Sequence, residues 1–187
     1  MLNKTFIRSL SFFYGLVVFV FLPGCAHVQA PQPGAKPPVI TNSYAIEKGR
    51  YGDILKMYIE ADDPDNDMLR IAALVEQVGY GRYSPDWIYL KPQSSGRLVG
   101  YLQWNTSSSR AGGVPEWTRL TIKVSVFDKA GNESNVVVFP FEFVSEVIKN
   151  PPPPAPFDQA NLPRLGYVDV NLFNPTRDGR EPRIPRD

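Results

Sequence analysis

The stretch Leu120-Thr-Ile-Lys-Val-Ser-Val-Phe-Asp-Lys-Ala-Gly-Asn-Glu-Ser-Asn-Val-Val-Val-Phe-Pro-Phe-Glu-Phe143 decides the fold. In its first half Leu120, Ile122, Val124 and Val126 alternate with neighbours that are mostly polar. In its second half Phe139, Phe141 and Phe143 do the same. A period of two with one apolar face is the signature of a strand packed on a core from one side. Asp128-Lys-Ala-Gly-Asn132 between the halves reads as a tight hairpin connection, with Gly131 free to take a positive φ. Pro140 cannot donate to a ladder, so it predicts an edge or a bulge there.

Working outward, short β-branched and aromatic runs divided by Gly, Pro, Asn and Asp predict strands near 38–43, 52–61, 68–78, 86–91, 96–104, 117–127 and 134–144. Ala72-Ala73-Leu74 leaves a helix over Leu69–Val78 as an alternative. About seven short strands in this span predict an all-β chain, an antiparallel sandwich. Trp87, Trp104 and Trp117 are then expected as core or rim residues.

Two loops add a resemblance. Ala61-Asp-Asp-Pro-Asp-Asn-Asp67 follows one predicted strand, and Val126-Phe-Asp-Lys-Ala-Gly-Asn-Glu-Ser134 precedes the last. Together they resemble bacterial immunoglobulin-like and cadherin-like repeat domains over residues 38–146, with Asn66 where those domains commonly have Gly. The resemblance implies an immunoglobulin-like β-sandwich. It implies little about function, because this architecture hosts many unrelated roles.

In such a sandwich the two loops share one end, which would bring Asp128 and Asn132 toward Asp62, Asp63, Asp65 and Asp67. Calcium takes six to eight oxygen ligands, so these six residues are a candidate calcium site. The competing reading is a solvated turn, since Asp and Asn cap turns through their own backbone.

The N-terminus predicts a targeting segment. Lys4 and Arg8 precede an apolar run from Phe12 to Leu22, broken only by Gly15. That suits the roughly 7–15 residues of a signal helix and falls short of the about 20 of a spanning one. The run ends in Leu22-Pro23-Gly24-Cys25, which resembles a bacterial lipobox. Leu22 and Gly24 match the pattern, while Pro23 departs from the usual Ala, Ser or Thr. The resemblance implies that residues 1–24 are a lipoprotein signal peptide. Cys25 would become the first mature residue, carrying a diacylglycerol on sulfur and an acyl chain, such as palmitate, on its amine. Ala26 stands where an inner-membrane retention Asp would be, which implies an outer-membrane anchor facing the periplasm or the surface. An ordinary cleaved signal ending near Ala26–Ala30 and an uncleaved anchor are the alternatives.

Residues 25–37 then read as a lipidated cysteine on a Pro-rich tether. At the other end, residues 147–187 open on Pro151–Pro154 and read as a mostly extended or disordered tail. Within it Leu165–Phe173 is apolar enough to fold back on the sandwich or to pair with a partner's sheet.

Composition narrows the chemistry. Cys25 is the only cysteine, so no disulfide forms within the chain. The only histidine, His27, lies in the tether, so no Ser-His or Cys-His catalytic pair and no zinc spacing is available. Removing Lys4 and Arg8 takes the formal charge from +1 to −1, which leaves no basic excess for nucleic acid. Gly79-Tyr-Gly81-Arg-Tyr-Ser84 is a turn rather than a phosphate loop, because Pro85 follows where a helix should open.

The sequence therefore points to a non-catalytic envelope protein, held to the membrane by a lipid and presenting one sandwich to a protein or glycan partner. Tyr80, Tyr83, Trp87 and Tyr89 form its candidate binding edge. A calcium-dependent adhesion module and an accessory lipoprotein of a secretion or pilus assembly are the alternatives.

Overall fold

The computed structural model describes residues 35–107 and 118–174. The signal helix, Leu22, Pro23, Gly24, Cys25 and Trp117 lie outside the described residues. Ten strands follow in order: β1 (Val39–Tyr44), β2 (Lys48–Gly49), β3 (Ile54–Asp62), β4 (Met68–Gln77), β5 (Gly81–Arg82), β6 (Asp86–Tyr89), β7 (Arg97–Asn105), β8 (Arg119–Asp128), β9 (Val137–Phe143) and β10 (Arg164–Tyr167). The one helical turn among the described residues is a 3₁₀ turn at Pro92–Ser94.

The strands form two sheets. The first runs β1-β3-β7-β10, and the second runs β2-β9-β8-β4-β5, with β6 also paired to β4. Leaving aside the two-residue strands and β10, seven principal strands remain in chain order. The first, second and fifth make one sheet, and the seventh, sixth, third and fourth make the other. That is the immunoglobulin-like arrangement.

The long strands alternate as their sequence requires. Leu55, Met57, Ile59 and Ala61 of β3 point inward, as do Leu98, Leu102 and Trp104 of β7. Leu120, Ile122, Val124 and Val126 of β8 meet them from the other sheet, with Phe139, Phe141 and Phe143 of β9. Trp104 is wholly buried and meets Phe141 and Phe143 edge-on, with centroids 5.8 and 5.9 Å away. Truncating a fully buried side chain such as Met57 would cost about 2–5 kcal/mol.

Residues Leu69–Val78 are strand, not helix. β4 pairs with β8 on one side and with β6 on the other. Those ladders, and the burial of Ile71, Ala73 and Val75, override the helix propensity of Ala72-Ala73-Leu74. The hairpin follows its sequence, with Gly131 at φ 90°. Among the described residues the strand beyond β9 is β2, which pairs with Glu142 and Phe143 and not with Pro140.

Where the sequence reads residues 147–187 as mostly extended or disordered, the described part of the tail takes the fold-back role that is one of the two readings of Leu165–Phe173. Through Asn174 it belongs to the sandwich. Phe157 is buried on the outer face of the first sheet against Tyr58, 5.5 Å between centroids. β10 then pairs in parallel with β7. It takes the place beside the fifth strand that a further antiparallel strand fills in seven-stranded immunoglobulin domains. Val168, Val170 and Leu172 enter the core. The physical reason is the open side of the sandwich: without β10 the edge of β7 would be unpaired and the core behind it wet. The fit is close. A Cβ on Gly100 would stand 2.5 Å from the Pro163 carbonyl, and one on Gly166 would stand 2.4 Å from Ile88.

Candidate functional site

The acidic loop and the β8–β9 hairpin do share one end. Met68 pairs with Asp128, and the Lys129 N–H donates to the Asp67 carbonyl at 3.1 Å. The carboxylates, however, are largely occupied by their own chain. Asp63 is buried and accepts the N–H of Asp65 at 3.1 Å and of Asp67 at 2.8 Å. Asp128 is also buried and accepts from the backbone and the side-chain amide of Asn132, both at 2.7 Å. Asp65 accepts the Lys36 N–H at 2.6 Å, and Asp62 faces Arg97 at 3.7 Å on the first sheet. Asn66 takes φ 58°, the left-handed conformation that explains why Gly or Asn belongs there.

Asp67 is the strained member. Burial raises its pKa, and so do its hydrogen bond with Asp63 and the charges of Asp128, Asp63 and Asp65. Its Oδ1 is buried without a hydrogen-bond partner among the described residues. Of the six predicted calcium ligands, Asp63, Asp67, Asp128 and Asn132 thus converge, while Asp62 turns away. Among the described residues no group of three or more His, Cys, Asp or Glu side chains is placed to hold a metal ion.

The aromatic edge divides in two. Tyr80 stacks on Phe173 at 4.6 Å and packs at a tilt against Tyr83 at 5.1 Å. The Tyr83 hydroxyl donates to Gln77 Oε1 and accepts the Phe173 N–H at 2.8 Å. Gln77 Nε2 donates to the Phe173 carbonyl at 2.9 Å. Tyr80 and Tyr83 therefore grip the chain's own C-terminal segment. Trp87 and Tyr89 remain 42% and 65% exposed, on the outer face of the second sheet.

Strand register explains what surrounds Trp87. Trp87 lies opposite Ala72, Ala72 opposite Ser125, and the next position across is Val136. Two large residues flank two small, buried ones, so the middle of the row sinks. The result is a dent of about 210 Å³, walled also by Leu74, Pro85, Lys123 and Glu133. Two residues along β4, the Arg70 guanidinium lies 4.1 Å over the Trp87 ring and 5.7 Å from that of Phe127. Its Nε is buried with no hydrogen-bond partner among the described residues. Sequence reading found Trp87 but missed Ala72, Ser125 and Arg70, because only the register shows that the small residues align beside it. It also missed Gln77 and Phe173, which meet across 96 residues of chain.

No family model matches the chain, and no curated protein matches it. Among solved structures it is similar to the PKD domain of an M14-like peptidase from Thermoplasmatales archaeon SCGC AB-540-F20, at 16% identity and TM-score 0.37, over 59% of this chain and 99% of that one. It is also similar to fibronectin(III)-like modules of Clostridium thermocellum CbhA, at 14% identity and TM-score 0.34, over 58% of this chain and 47% of that one. The chain's own strand order makes it an immunoglobulin-like sandwich, and at these scores neither likeness extends to an activity.

Proposed function

We propose that this chain is a non-catalytic envelope lipoprotein. It is anchored at the outer membrane through Cys25 and presents one immunoglobulin-like sandwich as a binding module. The observation that carries the reading is Leu22-Pro23-Gly24-Cys25 at the end of an apolar run, in a chain with no other cysteine. Two further features support it. Lys36, just ahead of β1, donates its backbone N–H to Asp65 of the acidic loop. Trp87 and Tyr89 are exposed on the outer face of the second sheet. Cys25 and His27, the residues best suited to nucleophilic or acid–base work, both precede the sandwich.

The alternative as an assembly accessory contacting its machine through residues 157–187 is disfavoured for 157–174, which pack on the chain's own sheets. The calcium-dependent alternative is disfavoured by the use of Asp63 and Asp128 within their own loops.

Fractionating cells that express the wild type and Cys25→Ser tests the anchor. The wild type partitions with outer membranes and into detergent, and Cys25→Ser appears in the soluble fraction. Unchanged membrane partitioning of Cys25→Ser would overturn the reading.

A further inference from the structure

We infer that the outer face of the second sheet docks an extended peptide of a protein partner, one that presents an apolar side chain and, two residues away, a carboxylate. This deepens the reading of the chain as a binding module and is independent of the lipid anchor.

Size decides the first half. The dent over Ala72 and Ser125 has about 210 Å³, below the roughly 300–1,000 Å³ of small-molecule sites. A single projecting side chain is the occupant that such a volume suits, in the way an interface anchor fills its pocket. The walls of Trp87, Leu74 and Val136 are apolar. The Lys123 ammonium at the margin is already held by Glu76 at 2.9 Å. A sugar, which needs several converging polar groups, is poorly served. A second copy set dent against dent would leave both unfilled.

Charge decides the second half. Arg50, Arg82, Arg97 and Arg119 each face a carboxylate within 4 Å; among the described residues Arg70 and Arg164 do not, and of these two Arg70 is the one whose Nε is buried and the one beside the dent. Its guanidinium lies over Trp87, with Phe127 meeting that ring edge-on beside it, so it is already positioned. A positioned guanidinium with no acidic neighbour is a strong partner for an incoming carboxylate, which can meet its terminal N–H groups. Arg70 and Ala72 lie two residues apart on one face of β4, which is about 6–7 Å. A peptide running along the strands places its own residues i and i+2 at that spacing. Glu133 lies beyond Phe127 in the same cross-strand row as Arg70, so its charge confines the carboxylate to the Arg70–Trp87 side of that row.

The test uses the full-length protein with two peptides, Ac-Ser-Leu-Ser-Glu-Ser-NH2 and its Gln counterpart. NMR follows the Trp87 indole and the Ala72 methyl. The Glu peptide shifts both saturably. Affinity falls about tenfold, the worth of one such charged contact, both with the Gln peptide and with Arg70→Gln. Ser125→Leu fills the dent and abolishes the shifts; should it fail to fold, Ala72→Val serves in its place, read at the Trp87 indole. Absence of a saturable shift would overturn the inference, as would equal binding of the two peptides or an unaltered affinity in Arg70→Gln. Concentration-dependent broadening without peptide would instead make this face a contact between copies of the chain, and would equally overturn it. None of these outcomes touches the Cys25 fractionation result.

Discussion

The backbone N–H of Phe173 donates to the hydroxyl of Tyr83 at 2.8 Å, across 90 residues of chain. That bond ties the C-terminal segment to the connection between β5 and β6. It makes the C-terminal segment a structural member of the sandwich. Truncation after Asn150 removes Phe157, Val168, Val170, Leu172 and Phe173, all buried. At about 1.5–3 kcal/mol for each such side chain, the loss is comparable with the whole stability of a typical domain. The truncated protein is expected to lose its cooperative thermal transition. Tyr83→Phe, which removes only the hydroxyl, is expected to cost about 1 kcal/mol and to keep the transition.

Gly166 tests the same closure without deleting anything. A methyl group there would meet Ile88 Cγ2 at 2.4 Å. Gly166→Ala is expected to push β10 off β7 and to speed hydrogen exchange at Tyr167 and Val168. Amides in β8, remote from the contact, should keep their protection. Uniform loss of protection would mean that β10 and the core open as one unit.

These two expectations mark where the sequence was legible. The seven principal strands follow from alternation and turn residues, both local signals. The Asp128–Asn132 hairpin and the left-handed Asn66 follow from turn chemistry of the same short range. For Leu165–Phe173 the sequence leaves fold-back and partner pairing both open, because the choice depends on a gap beside β7 that exists only after the other strands have paired. The dent was hidden for the same reason. Ala72 and Ser125 are ordinary small residues until register puts them side by side next to Trp87.

Asp67 predicts a pH effect. Its pKa is raised in the fold by burial, by the hydrogen bond with Asp63 and by neighbouring carboxylates. A raised folded pKa contributes stability that is fully present below the unfolded value and is lost as pH rises through the folded one. Asp67→Asn is therefore expected to be more stable than wild type at neutral pH, with the gap closing toward acid. Because the nearby carboxylates serve their own loop, calcium is expected to leave the wild-type melting temperature unmoved. A rise with calcium that Asp67→Asn abolishes would make this end a cation site.

Glu60 predicts the opposite slope. It is buried and accepts from Arg97 at 2.6 Å and from the Asn42 amide at 2.7 Å, and these contacts lower its pKa. Its contribution is present above the unfolded pKa and is lost as pH falls through the folded one. Glu60→Gln is expected to lower the melting temperature at neutral pH and to match the wild type in acid. Arg97 is largely exposed, so the neutral-pH loss should be small and should shrink with salt.

The central proposal, a sandwich held to a membrane by its first mature residue, is tested most directly by the intact mass of the protein purified from membranes, with fragmentation of its N-terminal peptide. The predicted result is a chain that begins at Cys25 and carries a diacylglycerol on the sulfur and an acyl chain on the amine. A chain that begins at Met1, or one cut within Ala26–Ala30 and free of lipid, would contradict it.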